Sequence, residues 1–291
     1  MHLPVLVREV IGNLSPEPGD VIFDGTLGGG GHAREIIKRI APGGRLIGVD
    51  RDPEAVDRII QIFGDRGIFV NDDFRNVDRI LTEVGVEKID GAVFDLGLSS
   101  YQIDDQRRGF SFLKDGPLDM RFDKRQSLSA EKVVNEFGKE ELAEIISKYG
   151  EERHARIVAR AICSERRKKR ISTTGDLVDV IRRAVGRKYT RQRIHPAART
   201  FQAIRIFVNE ELVSVEEGVG KTLTFLSPGA RICVISFHSL EDRIVKNIFR
   251  DSARAGELRR VNKKPIRPGR EEVAANPRSR SAKLRVAEKI S

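Results

Sequence analysis

The sequence is poor in the features that mark secreted, membrane-spanning and zinc-stabilised proteins. Its 291 residues include only two cysteines, Cys163 and Cys233, whose separation matches no metal-binding motif. No apolar stretch approaches the roughly 20 residues that span a bilayer, and the first residues show no secretory signal pattern. Internal repeats and low-complexity linkers are also missing. We therefore expect a reduced, cytoplasmic protein without structural zinc and without a membrane partner.

The basic charge is concentrated in two segments. The formal net charge is +10, but residues 151–200 carry fifteen Lys and Arg against five acids, and residues 251–291 carry twelve against five. Inside the first segment, a run of five cations spans 166–170, and Tyr189 lies among the cations of 187–193. Ordinary solvated helix faces are one interpretation. The alternative, which we favour, is a face that binds a polyanion, with Tyr189 contacting phosphates and unstacked bases.

Four consecutive glycines follow the first apolar strand pattern. Val21–Asp24 ends in an acid, the glycines occupy 28–31, and a helical pattern opens at about His32. A tight turn is one reading, but bare backbone beside a helix N-terminus also suits a nucleotide-like cofactor. The G-x-G-x-x-A spacing does not separate NAD from S-adenosylmethionine (SAM). Asp24 favours SAM, because a carboxylate would attract its amino group and repel a pyrophosphate.

Residues 20–95 alternate strand and helix patterns, which predicts a parallel sheet with ligands at the carboxyl ends of its strands. The predicted strands are Val21–Asp24, Arg45–Asp50, Gly67–Asn71 and Ile89–Asp95. An acidic residue ends or directly follows each of these four strands. We expect Asp50 to bind the ribose hydroxyls of a nucleoside, Phe74 to flank its base, and Asp95 to meet the substrate.

After residue 129 the apolar spacing becomes helical, and a strand pattern returns only at Ala230–Phe237. We predict a basic, all-helical substrate-recognition domain at 113–204, inserted into a SAM-binding domain made of 1–112 and 205–291. One long helix is expected from Phe201 to Val219, and Lys283–Ile290 is read as a last strand. Ser239 and Asp242 have the spacing of a helix cap. His238 is a candidate base or an orienting residue.

Taken together, these stretches resemble the RsmH (MraW) family of bacterial methyltransferases. The matching pieces keep their order nearly end to end; they are His2–Leu6, Asp24–His32, Asp50–Pro53, Asp95–Ser100, Arg108–Phe112, Gly116–Arg121, Tyr149–Arg153, His195–Arg205, Ser236–Lys246 and Asn276–Arg280.

The resemblance implies an α/β, seven-stranded Rossmann-like class I methyltransferase fold with a helical insertion. It also implies SAM-dependent methylation of the exocyclic N4 of a cytidine, position 1402 in the usual numbering, in the decoding region of 16S rRNA. The small ribosomal subunit would be the partner, and no metal is expected. By position, the implied cofactor residues are Gly30, Gly31, His32, Asp50, Phe74, Asp95 and Gln102.

One stretch departs from many other amino-methylating enzymes. After the fourth strand those enzymes place an acid or amide, two prolines and an aromatic, whereas Asp95–Leu98 has neither prolines nor an aromatic. We expect Asp95 to be catalytic, and the target base to stack on Tyr101, Phe110 or Phe112. Two other functions stay open: a non-catalytic RNA-binding assembly factor, which would leave the strand-end acids idle, and an NAD-dependent oxidoreductase, which would leave the basic segments unexplained.

Overall fold

The computed structural model describes residues 4–190 and 195–290, with side chains described outside 187–190. The predicted nucleic-acid contact around Tyr189 therefore lies outside the described side chains. The described chain forms two compact units: residues up to Ser99 together with those from Leu212 onward, and Ser100–Glu211. The second unit begins and ends several residues outside the 113–204 expected for an insertion. Its role as a substrate-recognition domain remains a prediction.

The first unit is built on a seven-stranded sheet of order β3-β2-β1-β4-β5-β7-β6. Pairing is parallel from β3 through β5, and β7 runs antiparallel to both β5 and β6. The predicted seven-stranded α/β fold is thus confirmed. The strands are β1 (Val21–Asp24), β2 (Arg45–Asp50), β3 (Ile68–Asn71), β4 (Ile89–Asp95), β5 (Leu226–Ser236), β6 (Leu258–Arg260) and β7 (Lys283–Lys289).

Both faces of this sheet are covered by helices. Successive residues Ile22 and Phe23 of β1 are fully buried in two separate apolar clusters, one on each side. A strand buried on both faces reads as a continuous apolar run, which is why the central strands were visible in the sequence. The helices of this unit are α1 (Val7–Leu14), α2 (Gly31–Ile40), α3 (Pro53–Phe63), α4 (Val77–Glu83), α11 (Glu211–Phe225, shared with the second unit at its first residue), α12 (Ser239–Arg254) and α13 (Arg270–Ala275).

The second unit is helical, as its sequence pattern predicts. Its helices are α5 (Ser100–Asp104), α6 (Ala130–Glu136), α7 (Lys139–Gly150), α8 (Ala155–Arg166), α9 (Thr174–Thr190) and α10 (Ala198–Val208). Apolar residues of α7, α8 and α10 that recur every three or four positions are buried; they include Leu142, Ile146, Val158, Ile162 and Ile204. These stripes therefore form the core of the unit and not a cofactor pocket.

The prediction of one long helix from Phe201 to Val219 is wrong. The structure breaks it into α10 and α11 at Asn209 and Glu210, where Glu210 has a φ of +49°. The buried amide of Asn209 donates to the backbone oxygens of Met120 and Arg205 and accepts from the amide of Phe122. These bonds compete with the helical backbone and anchor the loop at 120–122. Apolar periodicity alone could not reveal the break.

Neither cysteine forms a disulfide, and both are buried. Across residues 4–190 and 195–290, the helices are all too short or too polar to cross a membrane.

Candidate active site

The glycine loop connects β1 to α2 and is packed from both sides. Gly30 has a φ of +73°, and a Cβ there would lie 2.4 Å from Cδ1 of Ile59. A Cβ on Gly31 would lie 2.6 Å from the ring of Pro4. Both positions therefore require glycine, so that the loop can keep its backbone course between α3 and the first described residues. The loop presents bare backbone at the carboxyl end of β1, which is what a cofactor seated on this turn requires.

Asp50, at the end of β2, holds this loop in place. Its Oδ2 accepts a hydrogen bond of 2.8 Å from the amide of Gly28, and its Oδ1 accepts one of 2.9 Å from the amide of Asp52. The carboxylate thus joins the glycine loop to the turn that begins α3. Each oxygen keeps a second lone pair, so the group can still accept bonds from ribose hydroxyls.

Phe74 lies farther inside the unit than the sequence suggested. It is 9% exposed and packs edge-on against Phe94, with ring centroids 5.3 Å apart. Its other neighbours include Gly218 of α11, whose missing side chain leaves room for the ring. Its aromatic side chain is thus part of the core. The contact of Phe74 with a cofactor stays a prediction.

Asp95 ends β4, and one of its carboxyl oxygens accepts no hydrogen bond from the described residues. Its backbone amide donates to Oγ1 of Thr26 at 2.6 Å, which fixes the strand end against the glycine loop. Its Oδ1 is buried and has no hydrogen-bond partner among the described residues. Burial, followed by repulsion from Asp24 and Glu241, raises the pKa of Asp95 to about 8.

Asp24, at the end of β1, is the second acid of this strand edge, and it is buried more deeply than Asp95, whose side chain is 20% exposed. Asp24 is 2% exposed, and its Oδ1 accepts from the amide of Thr26 at 3.0 Å. Burial raises its pKa to about 7; the hydrogen bonds of Thr26 oppose this shift, and the charge of Asp50 adds to it. Asp24 and Asp95 therefore share a buried, acid-rich strand edge whose electrostatics favour a cation.

His32, in the first turn of α2, faces this edge. Its Nε2 lies 3.0 Å from the carbonyl oxygen of Val5. A carbonyl can only accept, so Nε2 carries the hydrogen and Nδ1 of the neutral ring has a lone pair. Nδ1 lies 3.7 Å from Oδ2 of Asp95. The structure thus places Nδ1 of His32 beside Oδ2 of Asp95, whereas Oδ1 is the oxygen that has no hydrogen-bond partner among the described residues.

His238 is the N-cap of α12, one residue before the cap expected from Ser239 and Asp242. Its Nδ1 accepts from the amide of Glu241 at 3.3 Å, and Oε2 of Glu241 accepts from the amide of Phe237 at 2.8 Å. Asp242 instead pairs with Lys283 and Arg285 of β7. The predicted cap is therefore wrong, because the capping box starts one residue earlier, at His238. The two roles considered for His238, base or orienting residue, stay predictions.

Sequence reasoning missed Glu241, which is 1% exposed and raises the pKa of Asp95 through its charge. The signal was present, since an acid three residues after the N-cap, here His238, marks a capping box. Thr26 was also missed. A hydroxyl two residues after a strand-end acid is a common turn former, but its bond to the amide of Asp95 depends on the pairing of β1 with β4.

Four other predicted residues belong to the second unit. Gln102 is buried on α5, and Tyr101 beside it is exposed. Phe110 is buried against Phe122, whereas Phe112 stacks on His195 with centroids 4.8 Å apart. Gln102 therefore belongs to the second unit. Its role, like the base-stacking roles of the aromatics, remains a prediction.

The geometry of the first unit fits a cationic nucleoside cofactor. Its glycine loop offers backbone, Asp50 offers acceptors, and the buried edge formed by Asp24 and Asp95 contains an orphaned carboxyl oxygen. A pyrophosphate would bring further negative charge to that edge. A sulfonium and an ammonium group would instead compensate it.

The chain is similar to known proteins along nearly its whole length. Residues 1–290 match the family described as the MraW methylase family. A ribosomal RNA small subunit methyltransferase H from Geobacter sp. (strain M21) is 50% identical over 307 residues, covering 99% of this chain and 98% of that protein. The protein of the same name from Finegoldia magna is 45% identical over 308 residues, with coverage of 99% and 98%. A solved rRNA methylase from Streptococcus thermophilus has a TM-score of 0.45 and 11% identity, covering 98% of this chain and 93% of that chain.

The predicted family is confirmed by these matches, and the methyl donor implied by it suits the buried acids at the strand ends. The chain belongs to the MraW methylase family, and its cofactor is S-adenosylmethionine.

Proposed function

We propose that this protein methylates the exocyclic N4 of the cytidine at position 1402 of 16S rRNA, in the cytoplasm. The observation that carries the chemistry is the buried, unpartnered Oδ1 of Asp95 at the end of β4. The choice of RNA rests on the relatives, which are named for the small subunit rRNA. The basic charge of residues 151–200 supports a polyanionic substrate.

An exocyclic amine needs help to act as a nucleophile, because its lone pair is delocalised into the ring. When bound, SAM supplies a methyl group already activated by its sulfonium. The protein's task is then to align the amine and to accept its hydrogens as N4 becomes tetrahedral and acidic. A hydrogen bond that strengthens along this path lowers the barrier more than it aids binding. Oδ1 of Asp95 can accept such a bond, since nothing in the described protein occupies it.

Asp95 accepts an amine hydrogen more strongly when it is ionised. In the free protein its pKa of about 8 keeps much of the carboxyl protonated near neutral pH. A cation near the strand edge favours the carboxylate. Nδ1 of His32 lies 3.7 Å from Oδ2, the carboxyl oxygen other than the unpartnered Oδ1. We assign His32 as the positioning residue of Asp95, with Thr26 fixing the strand end.

The binding roles follow from the same edge. Asp50 holds the glycine loop and accepts from ribose hydroxyls, and Gly30 and Gly31 allow the cofactor to approach the backbone. Asp24 pairs with the amino group of the methionine moiety. Phe74 and Gln102 complete the site implied by the resemblance. The target base must be unpaired or flipped to reach Asp95.

Methyl transfer to unmethylated RNA tests the proposal. Purified protein and isotopically labelled SAM are incubated with 16S rRNA or small subunits from cells that lack the protein, and digests are mapped by mass spectrometry. We expect N4-methylcytidine at position 1402 in at least one substrate. Label at another base or another atom contradicts the assignment. Binding of SAM without transfer to either substrate favours the assembly-factor alternative.

A further inference from the structure

The cationic run that stands out in the sequence is largely engaged within its own unit. Nη1 of Arg166 donates to the backbone oxygen of Val134 at 2.7 Å. Lys169 lies 3.3 Å from Asp176, and Nε of Arg170 lies 2.8 Å from Oε1 of Glu131. Three of the five cations at 166–170 therefore hold the ends of α6, α8 and α9 together. Of this run, Arg167 is not among the three engaged cations, and the other cations for a polyanion must be sought elsewhere on the unit.

Two arginines of α8 and the C-cap residue that follows it, Arg167, supply cations for a polyanion. Arg156, Arg160 and Arg167 are exposed, and no acid lies within ion-pair distance of any of them in the described part of the chain. At 100° per residue, positions four and eleven residues after Arg156 lie within about 40° of it around the helix axis. The rise along the axis from Arg156 to Arg167 is about 16 Å. We call these three residues the arginine stripe.

The arginine stripe forms one wall of an open groove between α7 and α8. Two adjoining cavities, of about 1080 and 470 Å³, share Lys139, Glu140 and Arg160. Arg156 lines the first cavity and Arg167 the second, so the stripe runs along both. Glu140 and Glu144 lie on the facing side of the groove. Lys139 and Lys148 of α7 lie on that side too and offset these acids, so the arginine stripe supplies the attraction for an anion in the groove.

We infer that the arginine stripe binds the sugar-phosphate backbone of the rRNA substrate, and that Arg167 is the residue of the run at 166–170 that takes part in it. This inference rests on the proposed RNA substrate and adds the surface that holds it. Arginine suits this role because its planar guanidinium pairs with phosphate through two parallel hydrogen bonds. Three separate cations in a line match a repeating phosphate chain better than one compact anion.

A charge-neutral triple variant tests the stripe. Replacement of Arg156, Arg160 and Arg167 by Ser should weaken RNA binding and reduce the slope of log affinity against log salt by roughly two to three, since each lost phosphate contact removes about 0.7–0.9. Binding is measured without SAM by fluorescence anisotropy. SAM affinity should not change. An unchanged slope in a folded variant overturns the inference.

Two further variants separate specific contacts from net charge. Arg39, Arg250 and Arg254 are arginines of α2 and α12 that lie within 4.0 Å of acids, and their replacement by Ser removes the same formal charge. This control should keep the wild-type slope; an equal loss overturns the stripe as a binding surface. Replacement of the stripe by Lys should restore most of the slope, because phosphate contacts depend on charge as well as on geometry.

The remaining experiments ask which partner the arginine stripe binds and whether the proposed activity is correct. If the Ser variant loses binding to vesicles of anionic lipid and keeps its RNA slope, the stripe serves a membrane surface and the inference fails. If wild-type protein binds RNA with the expected slope but transfers no methyl group to it, the stripe stands and the proposed activity fails. In an active enzyme, the Ser variant should raise the KM for RNA.

Discussion

Asp50 and Asp95 end two strands of the same sheet, yet the protein treats their carboxylates differently. Both oxygens of Asp50 accept backbone amides, from Gly28 and Asp52. Oδ1 of Asp95 is buried and has no partner in the described chain, although its backbone amide is fixed by Thr26. Leaving a buried polar atom unsatisfied usually costs about 1–3 kcal/mol. The comparison separates a carboxylate that holds the glycine loop from one with an unpartnered oxygen, for which we propose a catalytic role.

The largest effect is expected from Asp95→Asn, which removes the charge and keeps the shape. We expect single-turnover methylation at saturating SAM to fall by about 10²-fold or more, corresponding to roughly 2.7 kcal/mol. SAM affinity, measured by titration calorimetry, should change much less. The wild-type rate should also rise with pH toward about 8, the pKa of Asp95 in the free protein. If a bound cation lowers that pKa, the rise should occur over a lower pH range. The variant should lack this rise.

Asp50→Asn is the matched control, because it removes the same charge from the satisfied carboxylate. It should weaken SAM binding and leave the rate at saturation close to wild type. Weak SAM binding with a normal saturated rate in Asp95→Asn would make Asp95 purely a cofactor residue. The partner of the amine would then be sought at Ser99, His238 and the backbone of Gly97.

Asp50→Ala should have the next largest effect. Loss of a charged acceptor for the ribose should weaken SAM binding by roughly 1.5–3 kcal/mol. Part of this loss reflects the glycine loop, because Oδ2 also holds the amide of Gly28. Calorimetry measures the affinity, and thermal unfolding of the free protein separates the contribution of the loop. Unchanged affinity in a folded variant would remove Asp50 from the site.

The smallest effect concerns Asp24, whose pKa is raised to about 7 in the folded protein. Between pH about 4 and about 7 the unfolded chain releases this proton while the folded chain keeps it, so the free energy of unfolding should fall as pH rises. Asp24 contributes at most about 1.4 kcal/mol per pH unit to this slope, and Asp95, whose pKa is raised to about 8, adds a contribution of the same sign. Asp24→Asn should therefore make the slope shallower without abolishing it, as measured by urea unfolding across that range.

Asp105→Asn provides a control of opposite sign for the pH experiment. The pKa of Asp105 is lowered to about 2, chiefly by its hydrogen bond from Arg107. Its contribution to stability is lost only as pH falls below about 4, so the variant should leave the slope from pH 4 to 7 unchanged. An equal flattening in both variants would mean that Asp24 is not the titrating group.

Much of the fold was predictable because its elements are marked locally. The central strands are apolar runs that end in acids, and the glycines at 28–31 mark the turn into α2. β6 was missed, since Leu258–Arg260 is three residues long and two of them are exposed arginines. The break at Asn209 depends on bonds to residues almost 90 positions away. Such features arise from tertiary contacts, which local periodicity does not encode.

The candidate site divides in the same way. Asp24, Asp50 and Asp95 were predictable, because strand-end acids meet at one edge of a parallel sheet. The sequence did not predict which of these carboxylates has both oxygens hydrogen-bonded, because this depends on the distance of each oxygen from backbone amides of other segments. The contact of His32 with Val5, and the charge of Glu241 near Asp95, also join residues far apart in sequence.

The sheet order has a consequence for the synthesis of the protein on the ribosome. β4 pairs with β5, but the two strands are separated by about 130 residues, most of them in the second unit. At a translation rate of roughly 5–20 residues per second, β5 is synthesised about 7–26 s after β4, and the outer edge of β4 is unpaired until then. During that interval an apolar strand has unpaired backbone groups, which invites pairing with a neighbouring nascent chain. Slowed translation before β5 should therefore lower the yield of active protein more than the same delay after β7.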